Sequence, residues 1–152
     1  MVMKTWEQYH ADVLKLLSTI NEAGYRPDII CPCALGGVFP GMILAKHLGI
    51  KPGDYRVIDI EREGDERRLV YDVHGDIHGN RVLLVEDDLP TGKGPLYVKQ
   101  LFEQRGAKVK IAAVYVNSTT QRITDFFAEI YNEDDPIEYP WKPFHAGDRT
   151  RE

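Results

Sequence analysis

Long apolar runs are missing from this sequence. Val82-Leu83-Leu84-Val85 is closed off by Arg81 and Glu86, far short of the roughly 20 residues that cross a bilayer as a helix. Cysteine is scarce, with two residues at 31 and 33, so there is no disulfide framework and the composition suits a reducing cytosol. Basic residues are outnumbered, 19 Lys and Arg against 24 Asp and Glu, and a net charge of -5 leaves no basic stripe for nucleic acid or an anionic membrane. Repeats and low-complexity stretches are absent, and no leader is expected before the amphipathic pattern that starts at Trp6. These absences argue against collagen, coiled coil, secreted mini-protein, membrane protein and nucleic-acid binder, and a cytoplasmic location is expected.

What is present is enough for one ordinary domain. A chain of 152 residues that is 43% hydrophobic buries roughly 70% of the surface it exposes when unfolded. Trp6, Tyr9, Val13, Leu16, Leu17 and Ile20 recur at helical spacing and stop at Gly24. Ile29-Ile30-Cys31 predicts a buried strand, and a second helix through Met42, Ile43, Ala45 and Leu48 closes at Gly49. Residues 55–60 and 69–73 predict strands, with the densely charged 61–68 between them as a solvated mobile loop. From Arg81 the order is clearest: the buried strand 82–85, a glycine-rich crossing, a helix entered at Pro95 and ended by Gly106, then strands over 109–116 and 123–131. Strands alternating with helices predict an α/β domain with a mostly parallel sheet over residues 1–144. The tail, 145–152, is polar and expected to be disordered.

The strand from Val82 ends in Glu86-Asp87-Asp88 and crosses Thr91-Gly92-Lys93-Gly94 into its helix. Ligands of open α/β sheets bind beyond the carboxyl ends of strands, and a glycine-rich helix start presents bare amides and a positive dipole end to an anion. A P-loop is excluded because Asp87 stands where its first glycine would be and Gly94 where Ser or Thr would follow the lysine. The dinucleotide fingerprint fails at Tyr97. Adjacent carboxylates repel by roughly 1 kcal/mol even in water, so a divalent cation or a ligand with several hydroxyls is expected to compensate. Acids beside a phosphate cradle suggest a sugar phosphate held with Mg²⁺; an acidic strand end capped by a purely structural turn remains open.

Val82-Leu83-Leu84-Val85-Glu86-Asp87-Asp88-Leu89-Pro90-Thr91-Gly92-Lys93-Gly94 resembles the 5-phosphoribosyl 1-pyrophosphate (PRPP) motif of type I phosphoribosyltransferases. Residues 27–50, through Ala34-Leu35-Gly36-Gly37, are similar to the family's pyrophosphate-loop segment. Ile111-Ala112-Ala113-Val114-Tyr115-Val116, Thr124-Asp125-Phe126-Phe127 and Ile137-Glu138-Tyr139-Pro140-Trp141 are similar to the last strands and base-covering hood of xanthine-guanine and hypoxanthine-guanine enzymes. The resemblance implies a single-domain type I phosphoribosyltransferase-like fold with a small C-terminal hood over about 132–144. It implies transfer of the 5-phosphoribosyl group from PRPP to a purine or purine-like base with release of pyrophosphate. Glu86 and Asp87 would hold the ribose hydroxyls and shape the Mg²⁺ site, largely through ligand and water. Thr91, Gly92, Lys93 and Gly94 would take the 5′-phosphate. Leu35, Gly36 and Gly37 would form the pyrophosphate loop, where relatives frequently carry a non-proline cis peptide. Asn117, Ile137, Tyr139 and Trp141 would line the base pocket, residues 62–73 fall near the mobile catalytic loop, and a homo-oligomer (dimer or tetramer) is implied.

Five positions depart from that pattern. Leu35 stands where relatives carry Arg or Lys, Pro90 where purine enzymes carry an acid/base aspartate, and Gly94 where a hydroxyl would meet the 5′-phosphate. Asn117 replaces a base-reading lysine, and Pro136 an aromatic that stacks on the base. General acid–base catalysis is worth about 10²–10⁴-fold, so the missing aspartate need not abolish turnover. Asp88 is the candidate replacement, although strand alternation directs it away from Asp87's side. The departures also fit a sensor that binds PRPP or a nucleotide without turnover. Cys31 and Cys33 read as buried strand cysteines, the histidines at 74 and 78 as part of a turn, and Trp6 as a core or interface anchor. For Tyr139 and Trp141, a turn that closes the hood onto the domain is an equal alternative.

Overall fold

The computed structural model describes residues 1–141, so the 145–152 tail and the last residues of the expected hood, 142–144, lie outside it. A four-stranded all-parallel sheet runs in the order β2 (Ile29–Pro32), β5 (Arg81–Leu89), β6 (Lys108–Val116), β7 (Phe126–Ile130). Isolated bridges from Tyr55 to Ile30 and from Ile58 to Cys33 extend its edge, where a full strand over 55–60 was expected. The alternation of side chains across the pleat divides the core into two layers. Ile30, Leu83, Val85, Ala112 and Val114 face α1 (Trp6–Glu22) and α2 (Val38–Leu48). Ile29, Cys31, Val82, Leu84 and Ile111 face α3 (Lys93–Gln104).

Helix α1 forms because Thr5 and Gln8 close a capping box and Tyr9, Val13, Leu16 and Ile20 place one apolar stripe on the sheet. Helix α3 starts at Lys93, two residues before the expected Pro95. Proline still fits, since every N–H in the first turn lacks an intrahelical partner. The charged stretch 61–68 is not a loop. It forms an antiparallel hairpin of β3 (Asp59–Glu63) and β4 (Glu66–Tyr71), turning at Gly64-Asp65. Two short parallel strands, β1 (Val2–Met3) and β8 (Ile137–Glu138), join the chain start to the hood. No helix among the described residues is long and apolar enough to cross a membrane.

Candidate functional site

Strand β5 is dry over Val82-Leu83-Leu84-Val85 and half-buried over Glu86-Asp87-Asp88, so its acids stand where the sheet meets the surface. Burial, then the neighbouring Asp87 charge, pushes the Glu86 carboxyl well above the usual range. Asp87 is also raised, first by burial and then by its neighbour Asp88. The Asp87 carboxylate folds back along the chain and accepts from the Asp88 amide at 2.6 Å. The combined charge of Asp87 and Asp88 also holds the Tyr9 and Tyr139 phenols above the ordinary range, after burial, which is the larger cause.

The segment 34–37 closes tightly over these acids. The Ala34–Leu35 peptide bond is cis. A Cβ at Gly37 would strike the Val85 carbonyl, so only glycine permits that approach, while one at Gly36 would meet the Asp87 carboxylate. Leu35 is 87% exposed.

Beyond Leu89 the chain turns through Pro90 and Thr91 to Gly92, whose φ of 72° is left-handed and whose Cβ would strike Ile123. Thr91 Oγ1 accepts from the Lys93 amide at 3.3 Å. The amides of Thr91, Gly92 and Gly94 have no acceptor among the described residues. An open cleft of about 290 Å³ is lined by Glu86, Asp87 and Asp88 on one side and by Thr91, Gly92 and Gly94 on another. Arg62 and Arg67 of the hairpin form a third wall. The acids and the helix start are therefore brought together as expected, while Lys93 is exposed and off the cleft lining.

The expected base-pocket residues are not on that lining. Asn117 is 1% exposed and its amide is taken up within the fold. Its Nδ2 donates to the Pro90 carbonyl at 2.9 Å and to Leu89 at 3.4 Å, while its Oδ1 accepts from the Thr119 and Thr120 amides. It builds the phosphate loop rather than reading a base. Ile137 and Tyr139 are buried. Tyr139 stacks on Trp141 at 4.6 Å, and Trp141 on Phe39 at 5.2 Å, with Trp6 half-exposed at their edge. This aromatic block seats the hood on α1 and α2, the alternative left open for the 139–141 turn. The resemblance puts residues 62–73 near a mobile catalytic loop, but the hairpin that brings Arg62 and Arg67 onto one wall was missed; its signal was Gly-Asp between two alternating runs, a two-residue hairpin turn.

Carboxylates held this far from their ordinary ionisation fit a hard cation. No group of three or more His, Cys, Asp or Glu side chains among the described residues forms a ready cage. Glu86 and Asp87 are two carboxylates on one wall of the cleft, and Mg²⁺, which keeps its waters, would rest on one or two such groups plus substrate phosphate.

A family model described as "Phosphoribosyl transferase domain" matches residues 5–146. The chain is 35% identical over 104 residues to an orotate phosphoribosyltransferase of Sulfurovum sp. (strain NBC37-1), covering 67% of this chain and 48% of that protein. It is 31% identical over 128 residues to a hypoxanthine-guanine phosphoribosyltransferase of Streptococcus thermophilus (strain CNRZ 1066), covering 80% and 69%. It thus spans about half the length of the first of these relatives and about two thirds of the second. Among solved structures it is similar to a purine phosphoribosyltransferase from Pyrococcus horikoshii Ot3, with a TM-score of 0.82 at 30% identity and 95% of each chain covered.

Proposed function

The chain belongs to the phosphoribosyltransferase family, and from that premise we propose that it transfers the 5-phosphoribosyl group of PRPP to a purine or purine-like nucleobase, with Mg²⁺ as cofactor. One juxtaposition carries this reading. Among the described residues, three acids without a Lys or Arg within ion-pair distance and a set of amides at the helix start without acceptors face the same cleft. A pentose phosphate answers both, offering hydroxyl donors to the acids and phosphate oxygens to the amides.

In the reaction, a ring nitrogen of the base forms a bond to C1′ as the bond from C1′ to the pyrophosphate oxygen breaks. The electron pair leaves with pyrophosphate, and the base proton passes to a nearby acceptor. Asp88 is the proposed acceptor, because it lines the cleft directly after the two acids that would hold the ribose. Glu86 and Asp87 hold the ribose hydroxyls, and Thr91, Gly92 and Gly94 hold the 5′-phosphate. Bound Mg²⁺ would neutralise charge on the departing pyrophosphate.

The test is release of pyrophosphate from PRPP and Mg²⁺ with hypoxanthine, guanine, xanthine, adenine, orotate and uracil in turn. Release with one or more purines is the expected result; release with orotate alone would replace the base assignment, and silence with all six would overturn the catalytic claim. A second reading, a sensor that binds PRPP or a nucleotide without turnover, is favoured by one observation. Asn117 is committed to the loop and Pro90 offers no carboxylate, so two groups that would act on a purine are missing. Saturable PRPP binding in calorimetry with no pyrophosphate release would select it.

A further inference from the structure

The hood is tied to the rest of the chain by a narrow strap. Its strand β8 is two residues long and pairs in parallel with β1, Val2 opposite Ile137 and Met3 opposite Glu138. At this joint the Val2 amide donates to the Pro136 carbonyl and the Lys4 amide to the Glu138 carbonyl, both at 3.0 Å. Among the described residues, every main-chain hydrogen bond from 132–141 to the rest of the chain runs to β1 or Lys4. The Met1 ammonium also meets Asp135, an exposed pair that water screens. Strand β1 anchors little by burial, since Val2 and Met3 are exposed. Lys4 is where the strap meets the core.

The Lys4 side chain is 12% exposed. Its ammonium lies 2.9 Å from Asp12 on α1, 2.9 Å from Glu129 on β7 and 5.3 Å from the centre of the Tyr115 ring on β6. One residue thus holds the hood by its amide and three core elements by its side chain. Tyr139 and Trp141 also rest on Tyr9, with ring centres 6.0 and 4.9 Å away. Burial of apolar surface is non-directional, so the aromatic block sets how deep the hood sits more than where it sits. Hydrogen bonds and an ammonium shared by two carboxylates are directional and resist sliding. The place matters because Tyr139, the residue after β8, lies close enough to Asp87 and Asp88 for their charge to add to burial in raising its phenol.

We infer that Lys4 is a positioning residue that fixes the hood beside the acids of the cleft and so sets the affinity for the nucleobase. The inference rests on the phosphoribosyl-transfer reading, in which the hood covers the base while the acids and the helix-start amides hold PRPP. The Lys4 ammonium pairs with neither Glu86, Asp87 nor Asp88. Loosening it therefore acts on the base and spares PRPP. A misplacement of about 1 Å by a change far from the reacting atoms can cost roughly 10²-fold, so a small slide of the hood is enough.

Pyrophosphate release by the full chain tests this, with PRPP and the base that wild type uses fastest varied in turn. The variants are Lys4→Met, Lys4→Arg, Val2→Pro and the triple change Lys4→Met, Asp12→Asn, Glu129→Gln. Lys4→Met keeps the stem and removes the ammonium, and the triple change removes its two acids as well, so that no buried charge is left unmatched. Val2→Pro deletes the donor to Pro136 at the head of a strand, where proline is tolerated. Lys4→Met, the triple change and Val2→Pro are each expected to raise the KM of the base roughly 10- to 100-fold and to leave that of PRPP within about twofold. Lys4→Arg returns a cation to the two carboxylates and is expected to recover most of the base affinity. Mere instability would lower the active fraction, and hence the apparent kcat, without moving one KM against the other. A base KM within about twofold of wild type in the triple change or in Val2→Pro overturns the role of Lys4 alone, as does an equal rise for PRPP. Wild-type protein that is silent with every base overturns the transfer reading and this inference with it.

Discussion

Asp12 and Asp87 are both aspartates drawn out of water, and their surroundings differ. The Asp12 side chain, 7% exposed, takes the Lys4 ammonium at 2.9 Å, the Tyr115 hydroxyl at 2.7 Å and Lys15 at 3.7 Å. Lys4 also reaches Glu129 at 2.9 Å, so the network ties the segment after β1 to α1, β6 and β7. Asp87 has no Lys or Arg within ion-pair distance among the described residues, and its neighbours Glu86 and Asp88 add to its charge. Buried charge inside a fold is matched by partners or it shifts its ionisation. The scaffold matches its own at Asp12. At the end of β5 the matching is left to whatever enters the cleft, which is why an unmatched cluster beside bare amides marks the site.

Breaking the matched site should have the larger effect on stability. Asp12→Ala leaves Lys4 with Glu129 alone and orphans the Tyr115 hydroxyl, at an expected cost of about 3–5 kcal/mol. For a chain of this length that is on the order of 10 °C in thermal midpoint. Scanning calorimetry checks it, and a loss below about 1 kcal/mol would erase the contrast.

Asp87→Asn should act with the opposite sign. A carboxyl whose folded value lies above the usual 3.8 contributes stability that is intact below that value and lost as pH rises through the folded one. The amide removes that loss. Ligand-free Asp87→Asn protein in a chelator is therefore expected to gain about 0.5–2 kcal/mol at pH 7.5 and little at pH 3.5. Its affinity for PRPP should fall at least about tenfold. Gly36→Ala sharpens the same point: the new Cβ meets only the mobile end of Asp87, so the carboxylate is displaced cheaply. PRPP affinity should drop roughly tenfold while the thermal midpoint moves by no more than a few degrees.

How far the sequence reveals this site depends on where each residue's partners come from. Strand β5, the crossing at 91–94 and helix α3 are legible because their signals are local: an apolar run, then acids, then glycines, then one amphipathic turn after another. The hairpin was not, since seven charges among residues 61–68 hide an alternation that only Ile60 and Leu69 anchor. Asn117 was misread for a different reason. An amide at a strand end has the right chemistry for a base, but its two acceptors, the Leu89 and Pro90 carbonyls, arrive from another strand. The fold spends that amide on shaping the phosphate loop. Tyr139 and Ile137 were assigned to a pocket because hydrophobic hood residues resemble pocket walls, yet the parallel pairing of β8 with β1 turns them into the core.

A third carboxylate completes the series and carries the smallest prediction. Asp72 follows β4, its side chain 46% exposed, and Arg105 at the end of α3 grips it at 2.9 and 2.7 Å. Those bonds to Arg105 hold the Asp72 carboxyl below its usual 3.8, with burial opposing them. A depressed folded value contributes stability that is present above 3.8 and lost as pH falls through the folded one, the reverse of Asp87. Water and salt screen so exposed a pair, so Asp72→Asn should cost only about 0.2–1 kcal/mol at pH 7. The difference from wild type should vanish near pH 2 and shrink in 0.5 M salt, readings that urea titration supplies. A cost that survived acid would mean that Asp72 acts through packing at the root of the hairpin. The stability lost would then come from the apolar contacts of Ile60 and Leu69, and the hairpin would be positioned by its core rather than by this pair.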